Sequence, residues 1–217
     1  LYGGDGGDKS FATFNAPDGL ARDSSGNLYV ADSVNCVIRV ISSTGAVSTL
    51  AGSFVVNQSN SSENCNTKTD GIGTAARFRG PKALALDAPR NLLYVLDSDY
   101  YESTSYVRRI DLSNAKVETV AGGTFGSADG VGSAAGFNKP RGAALDPTGS
   151  HLYVAENARV RNVVLASSNA LTVALTDVNG SAENNGIALS KDGATLFVTQ
   201  GGSGDDPCRV LSVMTAS

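Results

Sequence analysis

The stretch FNAPDGLARDSSGNLYVADSVNCVIRVI, residues 14–41, decides the fold because the chain repeats it. A second version starts at Phe78 and a third at Phe137, and a shorter fourth, NNGIALSKDGATLFVTQ, starts at Asn184. The four copies occupy approximately residues 14–52, 78–122, 137–176 and 184–217. A repeat of roughly 40 residues with variable insertions is the signature of a propeller or a solenoid.

Each copy breaks into short apolar runs. In the first they are Gly19-Leu20-Ala21, Leu28 to Ala31, Val37 to Ile41 and Val47 to Leu50, separated by DSSGN and SSTGA. Those separators hold the residues that tolerate or prescribe turns. No run has the length or the 3.6-residue period of a helix. Four antiparallel strands per unit make one propeller blade, and blades cover their faces by packing on one another. The expectation is an all-β chain forming one propeller domain over residues 1–217, with four blades visible and the last lacking its outer strand. Pro17, Pro81 and Pro140 then sit at the entrance to each innermost strand, where a missing N–H costs little. Phe14, Phe78 and Phe137 wedge between blades.

Composition agrees with a folded β domain. Hydrophobic residues make up 41% of the 217, charged residues 18%, and there are 25 glycines and no Trp. The net charge of −4, with no Lys/Arg stripe, argues against nucleic acid as a partner. No apolar run reaches the ~18 residues of a membrane-spanning helix, so no membrane insertion is expected.

The pattern resembles the NHL-repeat family of β-propellers. The resemblance rests on P-x-G-x-A-x-D (Pro17 to Asp23, Pro140 to Asp146), on NLYVAD (Asn27 to Asp32), on Ile38-Arg39, and on the inter-blade phrases DGIGTAARFRGP from Asp70 and DGVGSAAGFNKP from Asp129. It covers nearly the whole chain. It implies blades, and for function it implies a binding platform more than any reaction.

Tight turns join strands one to two and three to four, so they share one rim. Every insertion falls on the other: Ser53–Thr69, the loop from Asp97 to Ser105, and Gln200 to Asp206. Variable loops on a rigid scaffold are where binding usually resides. The candidate binding rim is therefore Asp97, Asp99, Tyr100, Tyr101, Asp205 and Asp206, together with Asp18, Lys82, Arg141 and Asn185 at the mouths of the first strands. Sequons at Asn57, Asn60 and Asn179 fall on the same rim and point to a glycosylated, secreted or cell-surface chain. Cys36 and Cys65 both belong there, so a disulfide between them is expected, leaving Cys208 without a partner in the chain.

The fourth blade stops after CRVLSV and the chain begins LYGG, an echo of the blade endings TLAG and TVAG. Three completions stay open: closure by that stub, a larger ring, or a neighbouring molecule on the open edge. Catalysis is not expected. The single His, His151, aligns with the turn residue Asn27, which leaves no set of several imidazoles. The acidic loops lack EF-hand or RTX spacing, so no cofactor is expected. The reading is a non-catalytic extracellular propeller that recognises a protein or a glycan, or assembles with its own copies into a scaffold or filament. The alternative is a calcium-dependent hydrolase or lyase resembling the gluconolactonase and strictosidine-synthase-like propellers. In those, the Asn before Gly, here Asn185, ligates calcium.

Overall fold

The computed structural model describes residues 12–53, 65, 67–98, 104–157, 159–167, 169–173, 184–201 and 208–215. Among them are four antiparallel sheets. The first runs β1 (Pro17–Arg22), β2 (Leu28–Asp32), β3 (Val37–Ile41), β4 (Val47–Gly52), side by side in chain order. The second holds β5 (Gly71–Ile72), β6 (Pro81–Asp87), β7 (Leu92–Ser98), β8 (Ser105–Asp111) and β9 (Lys116–Gly122), in the order β5-β9-β8-β7-β6. The third repeats that order with β10 (Gly130–Val131), β11 (Gly142–Leu145), β12 (His151–Glu156), β13 (Arg159–Val164) and β14 (Asn169–Val173). The fourth has three strands, β15 (Asn184–Leu189), β16 (Thr195–Gln200) and β17 (Arg209–Met214).

The blades therefore follow the sequence repeats, with one addition. The inter-blade phrases DGIG and DGVG supply two-residue strands that pair with the outermost strand of the blade they precede: Gly71 with Val117, and Val131 with Asn169. A 3-10 turn follows each, at Gly73–Ala75 and Gly132–Ala134, and returns the chain toward the Phe.

The Asp closing P-x-G-x-A-x-D organises each inner turn. Asp23 accepts the Asn27 backbone N–H at 2.8 Å and its side-chain amide at 2.8 Å. Asp146 accepts the backbone N–H groups of Ser150 and His151 at 2.7 and 2.6 Å. This is the local capping by which Asp favours turns.

The chain divides into two compact units, Leu1–Tyr101 with Val107–Thr119, and Glu102–Tyr106 with Val120–Ser217. In the first unit, Tyr29, Ala31, Ile38 and Ala51 of the first sheet pack with Leu84, Leu93, Val95, Ile110 and Val117 of the second and with Phe78, which precedes β6. Alternate residues of each strand enter this layer, as the period of two demands. Phe78, 1% exposed, is the wedge between these sheets. Burying such a ring contributes about 2–3 kcal/mol.

Two glycines permit the close approach. A Cβ on Gly19 would stand 2.7 Å from the Ala83 Cα, so the Gly of P-x-G lets β1 and β6 meet backbone to backbone. Gly52, at φ +92°, ends β4 where a Cβ would strike the Cys36 carbonyl at 2.6 Å. In the second unit Tyr153 and Val160 pack with Leu196 and Val198.

Candidate functional site

In the first three sheets, the end that carries the longer connections is built on a buried arginine. Arg39, Arg108 and Arg161 lie on β3, β8 and β13, and all are fully buried. Each guanidinium stands over the Phe of its own blade, Phe14, Phe78 or Phe137, at 5.2, 5.1 and 5.4 Å from the ring centre. Cation–π attraction gains strength in such desolvated places.

The guanidinium also holds carboxylates and chain. Arg108 donates to Asp97 at 3.0 Å, to Asp70 at 2.9 Å, and to the carbonyls of Arg77 and Thr69 at 3.0 Å each. Arg161 repeats the set with Glu156 at 3.5 Å, Asp129 at 2.8 Å, and the carbonyls of Gly136 and Ala128 at 2.5 and 2.9 Å. Arg39 meets Asp32 at 3.5 Å. The buried carboxylates in turn accept backbone N–H groups of the entry segment: Asn15 on Asp32, Arg79 and Gly80 on Asp97, and Asn138 on Glu156. The arginine thus ties D-G-x-G and F-x-x-P to the blade they introduce, and fixes the backbone at this end.

Burial pushes the Asp32, Asp97 and Glu156 carboxyls above their ordinary range, against the pull of their N–H donors and the arginine charge. Asp70 moves the other way. Its partial burial raises it, but hydrogen bonds from Thr119 and the Arg108 and Lys68 charges outweigh that and lower it.

This corrects the reading of Asp97 as a binding-rim residue. Its side chain is fully buried against Arg108 and its role is structural. Sequence reasoning did not link the repeated Arg of I-R and V-R to the Asp opening each D-G-x-G phrase. The signal was their joint recurrence, Asp70 with Arg108 and Asp129 with Arg161.

The other rim residues fall as follows. Asp18 and Lys82, on neighbouring inner strands of the first unit, form an ion pair at 3.4 Å with both side chains partly exposed. Arg141 is exposed, just before β11, and its backbone N–H bonds the Ala155 carbonyl at 2.9 Å. Asn185 lies on β15 beside Gly186. Asp99, Tyr100, Tyr101, Asp205 and Asp206, and the sequons at Asn57, Asn60 and Asn179, lie outside the described residues, as does the N-terminal LYGG. His151 opens β12, half-buried, and its Nδ1 donates to the Asn162 side-chain carbonyl at 3.0 Å.

Cys36 and Cys65 are joined in a disulfide, their Cα atoms 5.7 Å apart. It pins the β2–β3 turn to the connection that leaves β4, at the long-connection end. Cys208, which immediately precedes β17, is an exposed free thiol.

Among the described residues, the fourth blade does not repeat the arginine tether. By register, Arg39 lies opposite Val30, Arg161 opposite Val154, and Leu211 opposite Val198. Where Asp32 and Glu156 end their strands and Asp97 is the last residue but one of β7, Gln200 ends β16. Both halves of the ion pair have been replaced by uncharged residues.

Repeated blades with this entry phrase, turn Asp and strand order define a β-propeller. The chain belongs to the NHL-repeat family: residues 2–128 match the Teneurin NHL domain. NHL repeat-containing protein 2 of Bos taurus is 33% identical over 152 residues, which is 67% of this chain and 20% of that protein. The chain thus spans about a fifth of the length of the curated relatives it matches first. Among solved structures, a gluconolactonase-like protein aligns with a TM-score of 0.58 at 16% identity, over 92% of this chain and 64% of its own. Streptogramin B lyase aligns with a TM-score of 0.52 at 13% identity, over 93% of this chain and 56% of its own. At such identities the likeness is one of fold.

Proposed function

We propose that this NHL propeller is an extracellular, non-catalytic recognition module that engages a protein or glycan, or further copies of itself, through its long-connection end. The observation that carries the reading is the Cys36–Cys65 disulfide. Structural disulfides persist in oxidising compartments, and this one anchors a variable connection to a rigid sheet. The three sequons fall on the same connections or on the loop before the fourth blade.

Expression of the chain through a secretory pathway tests this. Expected are glycans on Asn57, Asn60 and Asn179, read as mass lost to a glycosidase, and either retention on a glycan or protein array or concentration-dependent oligomers in sedimentation. A secreted product with free Cys36 and Cys65 thiols and no glycans overturns the extracellular reading. Tightly held calcium together with lactone hydrolysis moves the assignment to the enzymatic alternative.

A further inference from the structure

Arg108 and Arg161 make the same anchor, but the chain reaches the two by different routes. Arg161 donates to the Ala128 carbonyl and to Asp129, and Ala128 stands only six positions after Gly122, the end of β9. Arg108 donates to the corresponding Thr69 carbonyl and to Asp70, and Thr69 stands seventeen positions after Gly52, the end of β4. The disulfide removes that difference. Cys65 lies four positions before Thr69, and its partner Cys36 stands just before β3. Cys36 is a firm point of attachment: it is 4% exposed, its N–H bonds the Ser33 carbonyl at 3.1 Å, and its own carbonyl leaves no room for a Cβ on Gly52.

We propose that the Cys36–Cys65 disulfide is a redox-sensitive latch on the Arg108 anchor, closed when oxidised and loosened when a thiol reductant opens it. For a flexible lead, the effective concentration of one end at the other falls as roughly the −3/2 power of its length. Shortening the lead from seventeen residues to four raises the concentration of Thr69 and Asp70 at the guanidinium by roughly ninefold. The contacts at stake close the outer edge of the second sheet. Thr69 and Arg77 exchange backbone hydrogen bonds at 3.3 and 3.0 Å, Asp70 accepts the Thr119 N–H, and the Gly73 N–H bonds the Ala115 carbonyl at 2.9 Å. The third blade has its short lead by chain length alone, and residues 122–128 contain no cysteine. The latch therefore acts on the second blade and not on the third.

Opening is thiol–disulfide exchange with an external dithiol. Cys65 is half-buried and Cys36 buried, so the Cys65 sulfur is the one attacked. A thiolate of the reductant bonds to Cys65 Sγ as the Cys36–Cys65 bond breaks, and Cys36 leaves as thiolate. The second thiol of the reductant then displaces Cys65 and closes a cyclic disulfide. The dithiol is oxidised by two electrons, and its two protons end on Cys36 and Cys65. The proposal goes beyond the recognition reading and does not depend on it, since a purified chain that binds no partner still shows the latch.

Amide hydrogen exchange, read residue by residue by NMR, tests this on the intact chain in three forms: oxidised, reduced by dithiothreitol, and carrying Cys36→Ser with Cys65→Ser. Without denaturant, edge and turn amides exchange through local opening. Expected is a rise of roughly ninefold at Thr69, Gly73 and Thr119 in the reduced chain and in the double variant alike, reversed in the reduced chain on reoxidation. In the third blade, Gly136, whose N–H bonds the Ala128 carbonyl, and Gly149, whose N–H bonds the Asp146 carbonyl, keep their rates. The double variant never meets the reductant, so it separates the latch from any other effect of the reagent, and the reduced chain needs no substitution. Equal rates in the oxidised and reduced chains overturn the proposal. A rise at Gly136 and Gly149 as large as that at Thr119 also overturns it, because the disulfide is then a staple for the whole fold. So does an oxidised chain in which no dithiol-cleavable bond joins Cys36 to Cys65.

Discussion

Arg108 donates to Asp97 across 3.0 Å with neither side chain exposed to solvent. Breaking a buried ion pair from one side leaves an uncompensated charge, at a cost of about 3–5 kcal/mol. Arg108→Leu is therefore expected to lower the unfolding free energy in urea by about that amount. Adding Asp97→Gln reproduces the fourth blade's Gln200 and Leu211, and should recover a substantial part of the loss. The recovery stays incomplete because the Thr69 and Arg77 carbonyls and Asp70 also lose their donor. A double variant no more stable than the single one would show that the pairing is not what couples these positions.

Asp70 holds the outer strand from the exposed side. Its carboxylate accepts from Arg108, from the Thr119 hydroxyl at 2.8 Å and from the Thr119 N–H at 3.1 Å. Its side chain is 47% exposed, so water can replace these partners. Asp70→Ala is expected to cost about 1 kcal/mol globally. Amide exchange at Gly71 and Ile72 should rise before that of β6 and β7. Unchanged protection at β5 would place the anchor elsewhere.

The Cys36–Cys65 disulfide closes a loop of sequence separation 29. Replacing both cysteines by Ser is expected to cost about 3 kcal/mol by freeing the unfolded chain. Thiol labelling of the denatured, unreduced chain should find Cys208 alone, and labelling after reduction all three cysteines.

Acid sensitivity follows from the turn carboxylates. Partial burial raises Asp146, but hydrogen bonds from the Thr148 hydroxyl and from the His151, Ser150 and Thr148 amides bring it below its ordinary 3.8. Asp23 is lowered chiefly by the Asn27 side chain. A carboxyl whose folded pKa lies below its unfolded one stabilises above the unfolded value, and that contribution is lost as pH falls through the folded one. Stability should therefore drop as pH falls below 3.8. Burial raises Asp32, Asp97 and Glu156, so they act with the opposite sign: their contribution is full below the unfolded pKa and lost as pH rises through the folded one. Asp146→Asn should flatten the acid limb of a urea-midpoint profile; a slope equal to that of the unaltered chain would remove Asp146 from the account.

Much of this was legible in the chain because it is local. The alternation Leu28-Tyr29-Val30, the Asp23 turn, the prolines at strand entrances and the four copies depend on residues a few positions apart, and sequence order preserves such neighbours. Pairing Cys36 with Cys65 was within reach because both sit on connections at one end of the repeat. What the linear order hid were partners set by packing. Nothing beside Asp97 in the sequence says that its carboxylate faces Arg108 rather than solvent, and an acidic loop reads as a wet one. That Asp70 closes the other side of the same guanidinium, thirty-eight positions away, required the outer strand to fold back across its blade. A charge is placed by the low-dielectric space that closes around it, and that space exists only once separate strands have come together.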